Sequence, residues 1–280
     1  MGDFAADTAV EGADGRYTAR LSKDWEIWGP NGGYVASIAL RAAGAHSRFD
    51  RPATFSCHYL STAAFDEVQL EVVTLRSSRR AESVRVSMFQ GDRRILEAIA
   101  WTVDRLEGLE HDHTSMPAVP GFDDLASHAD LISGPDYEGP RFPFWDNLDY
   151  RPLDWVSSEE WLNRQPAFPV SDGWFRFVPA STFADSYLDA ARSLLILDTM
   201  PWPAAVRAHT GELPFIAPSI DLSVQFHRLA PDSAWLFLRA EAPVAAEGLV
   251  SGGGRVWSAD GQLLATAVEQ MLCVPARPIP

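Results

Sequence analysis

Cysteine is scarce in this chain of 280 residues: there are two, Cys57 and Cys273. They sit in no C-x-x-C pair and no Cys/His cluster, which excludes a disulfide framework and a zinc or redox motif, and fits free thiols in a reducing cytosol. Positive charge is also short. Lys and Arg number 23 against 38 Asp and Glu, for a net charge of -15. Nucleic acid and anionic membrane surfaces both require basic patches, so neither is a partner of this chain. A phosphate-bearing small molecule stays open, because a few local arginines suffice for one. No run of 18 apolar residues is present, hence no transmembrane helix and no membrane insertion. The start, Met1-Gly2-Asp3-Phe4-Ala5-Ala6, lacks the basic and apolar regions of a signal peptide and the hydroxyl of a myristoylation site. The expected location is cytoplasmic. Neither Gly32-Gly33 nor Gly252-Gly253-Gly254 matches a nucleotide-binding loop. His111-Asp112-His113 places two His two apart with no matching cluster elsewhere, which reads as a solvated turn and not a metal site.

What the chain does have is a long internal repeat. An apolar helix, a connection, a strand with a basic or aromatic end, a long strand and a strand pair occur around residues 31–103 and again around 184–274. Strands are expected at 54–59, 68–75, 83–89 and 95–103, and in the second copy at 221–226, 235–240, 249–257 and 263–274. Tyr59 and Phe226 lie 167 residues apart, and the turn residues Asp92 and Asp260 lie 168 apart. That period far exceeds those of solenoid repeats and indicates two copies of one domain, packed with a cleft between them. The expected helix at 34–45 is apolar all round (Val35, Ala36, Ile38, Ala39, Leu40, Ala42, Ala43), so it is buried on every side. Its counterpart is expected at 184–197.

Residues 105–170 differ in kind. Eight prolines and many acids mark a connector, yet large aromatics including Phe122, Tyr137, Phe144, Trp145, Trp155 and Trp161 argue against disorder. An ordered strap with short helices near 121–132 and 157–163 is expected. The domain division is then 1–115, a strap at 116–170, and 171–280. Residues 200–218 form a Pro-rich connection longer than its counterpart in the first half, which makes the two sides of the cleft unlike.

Several segments are similar to the acyl-CoA thioesterase II family. Gly32-Gly33-Tyr34-Val35-Ala36 resembles the Gly-Gly opening of that family's first helix. Leu109-Glu110-His111 with Thr114-Ser115-Met116-Pro117 resembles the segment leaving its first domain. Ala184-Asp185-Ser186 looks like its catalytic Asp, Ser219-Ile220-Asp221-Leu222-Ser223 with Phe226-His227-Arg228 like its hydroxyl-bearing strand, and residues 260–270 like its closing strand. The resemblance implies an α+β double hotdog, two fused curved antiparallel sheets each wrapping a central helix. It also implies hydrolysis of acyl-CoA to free acid and CoA, with no cofactor, and a homo-oligomer, a dimer of double hotdogs paired through exposed sheet edges.

The same resemblance assigns the site. Thioester hydrolysis needs an activated water and donors for the oxyanion. Asp185 would be the general base, Ser219 a hydroxyl orienting the water, and position 269 the third group. The oxyanion donor would be a backbone N–H at a helix N-terminus. Apart from the resemblance, Asp185 reads as a helix cap, a role compatible with catalysis, and His227 and Arg228 read as structural and salt-bridging residues. Glu269 departs from the family, which has Gln followed by Glu where this chain has Glu269-Gln270. Neighbours on a strand face opposite sides, so Gln270 cannot stand in without a bulge. Two carboxyls in one site would raise one pKa and leave one group protonated, a partial mimic of the amide. The exchange also favours a second reading, a non-hydrolytic acyl-CoA or acyl-carrier-binding protein with a decayed site. A hotdog hydratase would want His beside the acid at the helix start, and none neighbours Asp185. The first half offers only Asn31 there, so one site per chain is expected, drawn mainly from the second half.

Overall fold

The computed structural model describes residues 1–135, 137–211 and 213–276. The first half opens with a short helix α1 (Phe4–Asp7) and strands β1 (Glu11–Ala13) and β2 (Arg16–Arg20). It continues through helix α2 (Gly32–His46) into β3 (Arg51–Tyr59), β4 (Glu67–Ser77), β5 (Ala81–Gln90) and β6 (Arg93–Val103). The strap contains α3 (His128–Ser133), β7 (Leu148–Pro152) and α4 (Ser158–Asn163). The second half runs β8 (Val170–Phe177), α5 (Ser186–Thr199), α6 (Pro201–Val206), β9 (Phe215–Ile216), β10 (Ser219–Phe226), β11 (Leu236–Ala246), β12 (Leu249–Ser258), β13 (Leu263–Leu272) and β14 (Val274–Pro275).

One antiparallel sheet of 12 strands holds both halves, in the order β1-β2-β4-β5-β6-β3-β10-β13-β12-β11-β8-β7. The strap contributes its edge strand β7, which pairs with β8. The halves join where β3 pairs with β10, with Ser56 opposite Ser223 and their hydroxyls 3.0 Å apart. A pseudo-two-fold axis passes between these serines and maps Tyr59 onto Phe226. The repeat extends even to irregularities, since β3 bulges between Pro52 and Thr54 and β10 between Ser219 and Asp221. Long-range pairing in this register is what the 167-residue spacing of Tyr59 and Phe226 encodes.

Strand alternation turns one face of the sheet toward the helices: Phe55 and Cys57 on β3, Leu222 and Val224 on β10, and Ala98 and Ala100 on β6 are buried. Helix α2 lies over β3–β6 and α5 over β10–β13, and the two helices pack against each other. They run antiparallel, because Gly33 near the start of α2 touches Leu195 near the end of α5, whereas Gly44 meets Tyr187. Both cysteines are free, Cys57 buried and Cys273 half-buried.

Between β2 and α2 a short 3-10 segment (Lys23–Trp25) is capped by the Ser22 hydroxyl. The expected second helix ended at residue 197, but α5 continues through Asp198 and Thr199. That extra turn matters below.

The tightest helix contact depends on a missing side chain. A Cβ on Gly33 would stand 2.7 Å from the Leu195 carbonyl oxygen and 2.8 Å from its Cα, both backbone atoms that cannot swing away. Gly33→Ala is therefore expected to lower stability by about 1–3 kcal/mol, the range for overpacking a tight contact. Chemical denaturation of the two chains checks this, with a loss in midpoint at constant m-value as the expected result.

Candidate active site

The antiparallel helix pair has two ends, and one of them gathers buried carboxyls. At that end the last turn of α5 presents Asp198, and the first turn of α2 presents the Gly32 and Gly33 amides. A Cβ on Gly32 would lie 2.8 Å from Asp198 Oδ2, so the carboxyl sits directly against the glycine backbone. The first N–H groups of a helix have no intrahelical partner. Asn31 caps one of them, its Oδ1 accepting from Tyr34 N at 2.9 Å, while its Nδ2 donates to Thr199 Oγ1 at 3.1 Å across the seam. The Gly33 N–H faces the Asp198 carboxylate and favours its charged form. Among the described residues the Gly32 N–H has no hydrogen-bond partner of standard geometry.

The sheet supplies the other groups. Glu269 on β13 pairs with Leu222, which pairs in turn with Cys57, so all three project to the helix side. Beyond the β10 bulge Ser219 stands opposite Met271, another inward residue. The bulge thus brings Ser219 to the same side as Glu269, where a regular strand would have paired it with Leu272 and turned it to the opposite face. The Ser219 hydroxyl lies near both carboxyls and favours the ionised form of each, although no hydrogen bond of standard geometry joins it to Glu269. From β3, Tyr59 Oη donates to Asp198 Oδ1 at 2.8 Å.

Both acids are buried, Asp198 with 6% and Glu269 with 4% of its surface exposed. Burial raises the Asp198 pKa to about 6, with Tyr59, the Gly33 amide and Ser219 pulling it back. Glu269 goes higher still: burial pushes it well above the usual carboxylate range, and the charges of Asp198 and Asp221 add to that. Among the described residues neither Glu269 carboxyl oxygen has a hydrogen-bond partner. Both carboxyls are thus shifted toward the protonated form, Glu269 by burial and by the charges of Asp198 and Asp221 together. Burial and the Asp198 charge also push the Cys57 thiol up, which leaves it a packed thiol and not a nucleophile.

Of the three residues expected to converge, Ser219 and Glu269 do, and Asp185 does not. Asp185 is the exposed N-cap of α5, its Oδ1 accepting from Leu188 N at 2.7 Å. The helix between it and the polar cluster spans about 20 Å at 1.5 Å per residue. It lines an open hollow at the far end of the helix pair, with Arg41, Arg48, Asp50 and Tyr187. The carboxyl that joins Ser219 and Glu269 is Asp198. A signal for it was present in the sequence: an acid in the last turn of an apolar helix opposes both burial and the helix dipole, and is out of place on structural grounds. Gln270 points to the opposite side of β13, where Ser251 Oγ donates to its Oε1 at 2.9 Å, and it does not reach the cluster. His227 is tied to Thr266 Oγ1 at 3.1 Å, and Arg228 forms a surface ion pair with Asp112 at 2.8 Å. Among the described residues no group of three or more His, Cys, Asp or Glu side chains is placed to hold a metal ion.

The far end of the helix pair shows what the pseudo-symmetry has removed. Thirteen residues after each helix cap stand Gly44 in α2 and Asp198 in α5. By strand register, Pro52 corresponds to Ser219, Ala100 to Glu269 and Phe226 to Tyr59. All four polar positions are apolar there, and the Tyr187 ring fills the space against Gly44.

Comparison with known proteins agrees with this architecture. A family model of the acyl-CoA thioesterase N-terminal domain matches residues 21–103, and one of the C-terminal domain matches residues 122–273. No curated protein sequence matches the chain. Among solved structures, a hot dog fold protein of unknown function from Alicyclobacillus acidocaldarius superposes with a TM-score of 0.80 at 20% identity, covering 99% of this chain and 100% of that one. A putative thioesterase II from Thermobifida fusca YX also gives 0.80 at 20% identity, covering 98% of each chain. An acyl-CoA thioesterase II, TesB2, from Mycobacterium marinum gives 0.75 at 18% identity, covering 99% of this chain and 100% of that one. At such identities the structural likenesses speak for the double hotdog fold. The two domain matches span both pseudo-equivalent halves, and the chain belongs to the acyl-CoA thioesterase family.

Proposed function

We propose that the chain hydrolyses acyl-CoA thioesters, and that Asp198 is the base. The observation that carries this reading is the buried Asp198–Glu269 pair, with Asp198 against the first turn of α2 and the Ser219 hydroxyl beside both acids. A water between the two carboxyls gives a proton to the ionised Asp198 while its oxygen attacks the thioester carbonyl carbon. The resulting oxyanion lies at the N-terminus of α2, where the Gly32 N–H and the helix dipole favour negative charge. Collapse of the tetrahedral intermediate breaks the carbon–sulfur bond. The thiolate of CoA leaves and takes up the proton held on Asp198, which returns the base to its starting form. Protonated Glu269 offers one donor and one acceptor, as a primary amide does, and so holds the water in the manner expected of Gln at this position. Trp28 and Trp202 stand edge to face at 6.4 Å, four residues before Gly32 and four after Asp198. They supply apolar surface for the acyl chain at the same end of the helix pair.

Release of free thiol from acyl-CoAs of graded chain length tests the reading. Asp198→Asn is expected to reduce hydrolysis by at least about 100-fold, the scale of a lost general base. Saturable acyl-CoA binding without turnover in the unmodified chain would instead favour the decayed-site binder.

Stability should move the other way. The folded pKa of Asp198, about 6, lies above its ordinary value of 3.8. The protonated form is therefore favoured by folding, and its contribution is lost as pH rises through that window. Asp198→Asn removes this loss, so thermal melts at pH 7 are expected to show the variant at least as stable as the parent, whereas at pH 4 the advantage disappears.

The pH dependence of kcat/KM distinguishes the two acids. An acid limb near pH 6 is expected from Asp198, and an alkaline limb from ionisation of Glu269. Glu269→Gln should keep the acid limb, lose the alkaline one, and retain hydrolysis. Loss of activity in Glu269→Gln at every pH would overturn the proton-sharing scheme.

A further inference from the structure

The proposed base belongs to the second half of the chain, yet its nearest hydrogen bond comes from the first. Tyr59 stands at the end of β3 and reaches across the seam to Asp198. We propose that Tyr59 is the positioning residue of this site: its hydroxyl fixes one carboxylate oxygen of Asp198 so that the other faces the water.

Three observations carry this. The first is geometric. Tyr59 Oη donates to Oδ1 at 2.8 Å, while Oδ2 is the oxygen closer to the α2 backbone, 2.8 Å from where a Gly32 Cβ would stand. The two oxygens thus have separate neighbours, and rotation of the carboxylate would break the tyrosine bond. The second is electrostatic. The titratable groups around Asp198 are Tyr59 and Cys57 from β3, Glu269 from β13 and, one step further, Asp221 from β10. None is cationic, and no salt bridge reaches Asp198 among the described residues. A buried carboxylate with no counter-ion depends on neutral donors to stay ionised, and Tyr59 is the side chain that provides a direct one.

The third is the internal control built into the repeat. The pseudo-two-fold axis maps Tyr59 onto Phe226 and Asp198 onto Gly44. Where the carboxyl is absent, so is the hydroxyl, although both rings pack against the same kind of core. A tyrosine needed only for its ring would have no reason to differ from its mate in this one atom. The hydroxyl accompanies the acid.

The proposal rests on Asp198 as the base, so its test has a readout independent of turnover. Infrared difference spectra, assigned with Asp198→Asn, follow the carboxyl band of Asp198 through its titration in the parent chain and in Tyr59→Phe. Loss of the donor is expected to raise the midpoint by about one pH unit. kcat at pH 5–6 should then fall roughly five- to tenfold, with KM changed less than about twofold and the deficit shrinking as pH rises. Incorporation of 3-fluorotyrosine at position 59, a more acidic donor, should move the midpoint downward. A purely structural tyrosine predicts a lower melting temperature with an unmoved titration in both variants, and that result would overturn the proposal. A shifted Asp198 titration with an unshifted pH–rate profile would support the role of Tyr59 and sink Asp198 as the base.

Discussion

The close contact between the start of α2 and the end of α5 is the constraint on which this molecule depends. Gly32 and Gly33 let the two backbones approach until an added Cβ would overlap Leu195 or Asp198. Antiparallel packing then sets the positive end of one helix dipole against the negative end of the other. An acid in the last turn of α5 opposes its own dipole and is buried besides. It becomes tenable because the first turn of α2 supplies amides and the opposite partial charge. Larger residues at 32 and 33 would separate the helices and remove the compensation together with the contact.

The pocket chemistry follows from that arrangement. The Asp198 carboxyl is stabilised by neutral dipoles alone, so its pKa settles near 6 and not in the usual carboxylate range. Glu269, buried on β13 with no hydrogen-bond partner among the described residues, is pushed well above the usual carboxylate range. The β10 bulge completes the group by turning Ser219 to the same side of the sheet. At the other end of the helix pair the same scaffold carries Gly44, Pro52, Ala100 and Phe226, and the Tyr187 ring occupies the gap. Duplication supplied two equivalent corners, and only one of them is equipped for chemistry.

Much of this was legible in the chain. The uniformly apolar character of 34–45 marked a helix enclosed on all sides, and alternation with a fixed 167-residue offset at Tyr59 and Phe226 marked the repeat. That Glu269 and Gln270 face opposite sides of β13 was legible too, since neighbours on a strand alternate, whereas which of them faces inward was not. Asp185, expected beside Ser219 and Glu269, instead caps the opposite end of α5. Capping an N-terminus and serving as a base call for the same residue type at the same kind of position, and sequence spacing does not distinguish them. The acid that the fold brings to Ser219 and Glu269 lay outside the expected helix, which stopped at residue 197, one position short of Asp198. Tyr59 was visible only as a repeat mate, not as a partner of an acid 139 residues away.

Sequence by itself determined which residues share a face, where the repeat lies and which family the motifs resemble, because burial patterns and turn chemistry are local and survive in the order of residues. Tertiary structure alone decided which helix end meets which strands. That choice depends on the antiparallel approach of α2 and α5 and on the β3–β10 seam, both contacts between segments far apart in the chain. Nothing in the periodicity of either segment records how the other is oriented. The buried cluster of Asp198, Ser219 and Glu269 forms where those two long-range contacts coincide, at the end of α5.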